Sequence, residues 1–152
     1  MMPPGKKRRT QEANSLLDLA EQDRTAFHIL KDAPNASLAS ACFHAQQCIE
    51  KTMKAVLVSF QIIFRPTHDL LKLADILTQN QLPWPLPAPE LQQLNPCAVT
   101  WRYHSTDTPP PSRQVMTAMV EATMQWANAM TTPDPSDATP PSDSRSADKT
   151  PG

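Results

Sequence analysis

Glycine is nearly missing from this chain: 2 residues among 152, against 17 prolines. Tight β-hairpins draw on glycine wherever φ must be positive, so the shortage argues against an all-β fold. Long apolar runs are missing too, and none approaches the roughly 20 residues that a membrane-spanning helix needs. The basic start, MMPPGKKRR, is followed by no apolar stretch of the signal-peptide kind. A surplus of one charge is also lacking. With 14 Lys and Arg, 15 Asp and Glu and a net charge of −1, the chain as a whole carries no electrostatic footprint for nucleic acid. The 3 cysteines, Cys42, Cys48 and Cys97, are odd in number and show no CxxC spacing. Free, mostly buried thiols in a reducing cytoplasm are the simplest expectation.

What is present reads as helices punctuated by proline, in a length that suits one domain with one core. Residues 1–10 are expected to be a disordered basic arm around Lys6, Lys7, Arg8 and Arg9, more a solvated tail than a phosphate contact. A first helix over Gln11 to Lys31 carries Leu16, Leu17, Ala20, Phe27 and Leu30 as its apolar stripe. Its charges, among them Asp18, Glu21, Asp23 and Arg24, fall mostly on the other side. Pro34 ends it, because the residue before a proline is pushed out of the helical region.

The spacing predicts a second helix from about Ser37 to Ile63, roughly 40 Å long at 1.5 Å per residue. Leu38, Cys42, Ala45, Ile49, Met53, Val56 and Phe60 step by four or three and form one continuous seam. Gln47, Lys51 and Lys54 lie opposite, with Glu50 in reach of Lys54 one turn on. Thr67 is expected to cap a third helix running to about Gln79. A polyproline-like connector from Leu82 to Pro89 then packs Trp84 on the bundle, and Glu90 to Asn95 forms a single helical turn stopped by Pro96. A last helix over Arg113 to Met130 shows Val115, Met119, Met124 and Trp126. Its methionines suit an adaptable core or a dimer surface. Residues 132–152, rich in Pro, Ser and Asp, are expected to be a disordered tail. The fold expected is all-α: an up-and-down antiparallel bundle of four main helices plus one short helix over residues 11–131.

Three stretches carry a family resemblance. Phe43-His44-Ala45-Gln46-Gln47 leading to Glu50-Lys51-Thr52-Met53-Lys54-Ala55 is similar to the second-helix signature of HEPN domains, the nucleotide-binding domains of higher eukaryotes and prokaryotes. Pro66-Thr67-His68-Asp69-Leu70 resembles that family's Thr-His-Asp-Leu helix start, and Trp101-Arg102-Tyr103 its Arg-Tyr pair ahead of the last helix. The resemblance spans about residues 13 to 130 and leaves both tails outside. It implies a helical bundle, often dimeric and commonly paired with a minimal nucleotidyltransferase in toxin–antitoxin modules. Many members are metal-independent ribonucleases that resemble one another in an arginine followed, several residues on, by a histidine near the last helix.

Here the chain departs from the pattern. One residue separates Arg102 from His104, two separate Arg65 from His68, three separate Arg24 from His28, and no histidine follows Arg113. Metal-free RNA cleavage needs a cation for the phosphorane and a base for the 2′-hydroxyl, both aimed at one phosphate. Arg102 and His104 are the candidates if the chain is a ribonuclease toxin. The reading preferred is a non-catalytic module in the cytoplasm, acting with a nucleotidyltransferase, forming a homodimer and binding nucleotide or RNA. Lys51, Lys54, His68, Arg102 and Tyr103 are its candidate contacts. A purely structural oligomeric bundle is the third reading. No cofactor is expected, and no metal: His68-Asp69 lacks the second His-Asp pair that a metal phosphohydrolase requires, and Cys42, His44 and Cys48 do not share one helix face.

Overall fold

The computed structural model describes residues 10–98 and 109–131. These form α1 (Gln11–Asp32), α2 (Leu38–Ser59), α3 (Leu70–Gln79), α4 (Ala88–Leu94), a 3-10 turn (Asn95–Ala98) and α5 (Arg113–Thr131). Helix accounts for 75% of the described residues, with no strand among them, and the arrangement is an up-and-down antiparallel bundle. The basic arm, the Trp101–His104 segment and the proline-rich tail lie outside the described residues.

Helix α2 is the centre. On its seam Cys42, Ala45, Ile49, Met53 and Val56 are fully buried. Helix α1 lies along it antiparallel: Asp23 of α1 meets His44 and Lys51 of α2, while Thr10 and Glu12 lie beside Val58 and Phe64 at the far end. Phe27 of α1 is completely buried; covering such a ring stabilises by about 2–3 kcal/mol. From the other side α5 presents Met116, Met119, Val120 and Met124 to the core. Val115, expected on this stripe, is instead 37% exposed, because the buried face of α5 is phased on its neighbour Met116.

Local chemistry sets the helix ends. Thr10 and Ser37 cap α1 and α2, each side chain accepting the backbone N–H three residues on. Helix α2 stops at Ser59, short of the expected Ile63. Gln61 N–H donates to the Val58 carbonyl and Ile62 N–H to the Leu57 carbonyl, while Gln61 takes a positive φ of 59°. This is a Schellman closure, and α3 repeats it with Gln81 at 63° and Leu82 N–H donating to the Leu77 carbonyl. Glycine ordinarily fills that left-handed position. This chain has its two glycines at positions 5 and 152, so glutamines carry the strain.

Two further expectations change. Pro96 does not stop the chain after α4; it sits in the first turn of the 3-10 helix, where a missing N–H costs nothing. The cysteines are not all free thiols. Cys42 on α2 and Cys97 in the 3-10 turn form a disulfide across 55 residues, with Cα atoms 5.8 Å apart. No sequence spacing announces that pairing; packing of the turn on α2 creates it. Cys48 alone remains a thiol, fully buried, and burial pushes its pKa up to about 12. The connector is shorter than expected, because α4 takes Ala88 and Pro89, with proline in its first turn, but it packs its tryptophan on the bundle. Trp84 packs edge-on against Trp126 with centroids 4.9 Å apart, and Trp126 Nε1–H donates to the Pro83 carbonyl.

Candidate functional site

Successive turns of α2 aim polar side chains in two directions. Gln46, Glu50 and Lys54 recur every four residues and share one face; His44 and Lys51, seven apart, share the neighbouring face toward α1. Each face is built on one buried carboxylate.

On the α1 side that carboxylate is Asp23, 8% exposed, which sits three residues after Ala20 and four before Phe27 on the stripe itself. His44 Nδ1 lies 2.9 Å from Oδ1, and Lys51 Nζ donates to Oδ2 at 2.5 Å. Asp23 is therefore not among the solvent-side charges, as its sequence position suggested. Lys51, a candidate phosphate contact, is neutralised across the α1–α2 seam.

On the other face Glu50 is 3% exposed. Its Oε1 accepts from Gln46 Nε2 at 3.0 Å, and its Oε2 meets Lys54 Nζ and His68 Nδ1, each at 2.9 Å. Burial alone would raise the Glu50 pKa, but the hydrogen bonds from Lys54, Gln46 and His68 outweigh it and hold the carboxyl below its ordinary value. A carboxylate only accepts, so the hydrogen of the imidazole is on Nδ1 and the Nε2 lone pair of a neutral ring points away. The His68 side chain is 71% exposed. Its backbone is tied down as well, since Gln46 Nε2 also donates to the His68 carbonyl at 3.3 Å.

The turn that presents His68 is braced from two sides. Thr67 was expected to cap α3; its Oγ1 instead accepts the Asp69 N–H at 3.0 Å, and Asp69 is the cap, accepting from Leu71 and Lys72. The physical reason is that Asp69 stands next to the first helical residue, where its carboxylate reaches two free N–H groups at once. Asn95 adds a second brace, accepting the Leu70 N–H at 2.8 Å and donating to Asp69 Oδ1 at 2.8 Å. That amide holds the Asp69 carboxyl below its usual range, with the backbone bonds from Leu71 and Lys72 assisting against partial burial.

A third polar cluster links α1 to α5. Arg24 grips Glu121 through Nε at 2.8 Å and Nη2 at 2.5 Å, and His28 Nε2 lies 3.0 Å from the same carboxylate. Arg24, the strongest influence, and His28 keep the Glu121 carboxyl below its usual range and outweigh its burial; in return Glu121 raises the pKa of Arg24 further still.

Of the expected site residues, the structure brings Lys54 and His68 together on one oxygen of Glu50 and separates Lys51 from them. Arg102, Tyr103 and His104 lie outside the described residues. Among the described residues no three His, Cys, Asp or Glu side chains converge on a metal position, and no helix is long and apolar enough to cross a membrane. Sequence reasoning missed Glu50 as the partner of His68, whose Thr-His-Asp turn follows α2 by a linker short enough to fold back. It also missed Asp23, for which the phase between Ala20 and Phe27 was the available signal.

An all-helical bundle with a buried glutamate behind a Thr-His-Asp turn defines a compact helical module. The family model of the HEPN domain matches residues 10–127, and the chain belongs to that family of nucleotide-binding and ribonuclease-type modules. No curated protein and no solved structure gives a significant match to the chain.

Proposed function

We propose that this chain is a non-catalytic HEPN module that works by binding, with RNA or nucleotide as ligand and a minimal nucleotidyltransferase as the protein it acts with, in a toxin–antitoxin-like pair. The observation that carries this reading is the fate of the Arg–His pairs. Arg24 and His28 both close on Glu121, and so are spent on joining α1 to α5. Arg65 and His68 stand closer in sequence than the arginine and histidine of the family's ribonucleases, and His68 leans on Glu50. A phosphorane needs its cation and its base on one phosphate, and the Arg24–His28 pair is closed to that use.

The test is a cleavage and association assay. Purified protein is incubated with labelled RNA in EDTA, as wild type and as Arg102→Ala, and is separately mixed with a minimal nucleotidyltransferase. Intact RNA together with a stable complex supports the reading. Cleavage by wild type alone would overturn it in favour of a ribonuclease using Arg102 and His104. Homodimerisation belongs to the same proposal and is read by light scattering. So does a cytoplasmic setting, which now requires the Cys42–Cys97 pair to be reduced there; alkylation and mass spectrometry of protein from the native cell read that state.

A further inference from the structure

We propose that the Cys42–Cys97 pair is a redox switch on the turn that carries His68. Closed, the disulfide holds Asn95 against Asp69 and Leu70; opened by a dithiol, it releases them. This goes beyond the binding role and holds whichever ligand is bound. The N-terminus of α3 differs from the other helix starts. Helices α1, α2 and α5 take their side-chain caps from the residue beside them, Thr10, Ser37 and Ser112. Helix α3 has such a cap in Asp69, yet its first N–H, on Leu70, goes to Asn95, 25 positions away, at 2.8 Å. Asn95 also donates to Asp69 Oδ1 at 2.8 Å, so one side chain ties down both residues that follow His68.

Asn95 is itself held from two sides. It opens a 3-10 turn of four residues whose buried residue is Cys97. Before it stands α4, a helix of 7 residues, too short to persist without its contacts. Leu91 and Leu94 seat α4 on the core, and the disulfide fixes the other side of Asn95 to α2. Opening that bond therefore loosens the turn and leaves the bundle in place. The two sulfurs also differ in access. Cys42 is completely buried and Cys97 is 8% exposed, so an entering thiolate reaches Cys97. It bonds to Cys97 Sγ as the disulfide breaks, and Cys42 leaves as a thiolate that takes up a proton. The second thiolate of the dithiol then attacks the first reductant sulfur, and Cys97 leaves and is protonated in turn. Two electrons and two protons pass to the protein, and the reductant becomes a cyclic disulfide. A disulfide oxidant runs the same exchange backwards. Cys48 does not intercept, because it is fully buried against Met124 and its thiol pKa is pushed up to about 12.

The test is amide hydrogen exchange by NMR on the full chain, oxidised and then held in dithiothreitol. On reduction the Leu70 N–H is expected to exchange about tenfold faster, the value of one hydrogen bond. The N–H groups of Ala13 and Ser40, held by Thr10 and Ser37, should keep their rates, since such end groups exchange by local fraying. Asn95→Ala should give the oxidised protein the same fast Leu70, and reduction should then add nothing. Cys97→Ser should match the reduced wild type with or without dithiothreitol. A brief pulse of glutathione, followed by mass spectrometry, should find the adduct on Cys97. Reduction of the wild type needs no substitution, so that arm stands even if a variant does not fold. A Leu70 rate that ignores reduction, or that reduction still raises in Asn95→Ala, overturns the switch. Acceleration at Ala13 and Ser40 as well as Leu70 also overturns it, because the disulfide would then support the whole fold. An adduct on Cys42 alone overturns the route by which the pair opens.

Discussion

Two clusters in this bundle use the same three groups to different ends. Asp23, His44 and Lys51 form one; Glu50, His68 and Lys54 form the other. In each, a buried carboxylate receives one imidazole Nδ1 and one ammonium. The difference lies in where the histidine originates. His44 stands on a helix and faces another, so its ring is 30% exposed and the cluster is closed between α1 and α2. His68 stands on a turn, so the same bond leaves its ring 71% exposed. The first arrangement joins helices, whereas the second displays a side chain. The chemistry of the residues does not distinguish them, but the secondary structure carrying the histidine does.

The open cluster also rests on a covalent support that the closed one lacks, since the Cys42–Cys97 disulfide fixes the 3-10 turn and with it the Asn95 brace. The largest effect expected is therefore from Cys97→Ser. Loop closure over 55 residues is worth about 4 kcal/mol in the chain-entropy account, and denaturant unfolding with and without reductant measures it. Next is Asp23→Ala, which strands Lys51 and His44 at the helix seam and should cost about 3 kcal/mol. A loss below about 1 kcal/mol would mean that the closed cluster does not join the helices.

Acid should weaken the open cluster. The folded-state pKa of Glu50 lies below its ordinary 4.5, and that of Asp69 lies below 3.8. Each stabilises the fold fully above its ordinary value, and that contribution is lost as pH falls through the lower folded value. Stability should therefore decline below about pH 4.5, with a shallower slope in Glu50→Gln; chemical unfolding at a series of pH values reads the slope. A smaller effect of opposite sign is expected from Gln61→Gly or Gln81→Gly. Relief of the left-handed strain, less the entropy that glycine adds to the unfolded chain, should raise stability by about 0.5 kcal/mol in thermal melts. Smallest of all is His68→Ala, which should change stability by less than about 0.5 kcal/mol. A large loss there would make His68 a structural residue like His44.

Much of the fold could be read in advance because helices declare themselves through short-range periodicity. The seam of α2 and the bond from Lys54 to Glu50 follow from spacings of three and four along one element. The end of α2 was overrun because its closing residue is Gln61, where a glycine would have marked the stop. The site was legible only by its members: Lys54 and His68 stand out as residue types, while the buried carboxylate that unites them stands on another element.

By itself the sequence determined the class of fold, the order of the helices and the family, because each follows from patterns within an element or from residues that stand in a fixed order. Tertiary structure alone decided that Cys42 bonds Cys97, that Asp23 is buried, and that Glu50 turns one histidine outward. Those outcomes depend on which faces meet across the bundle. Contacts between residues tens of positions apart are set by packing the whole core at once, and no local pattern encodes them.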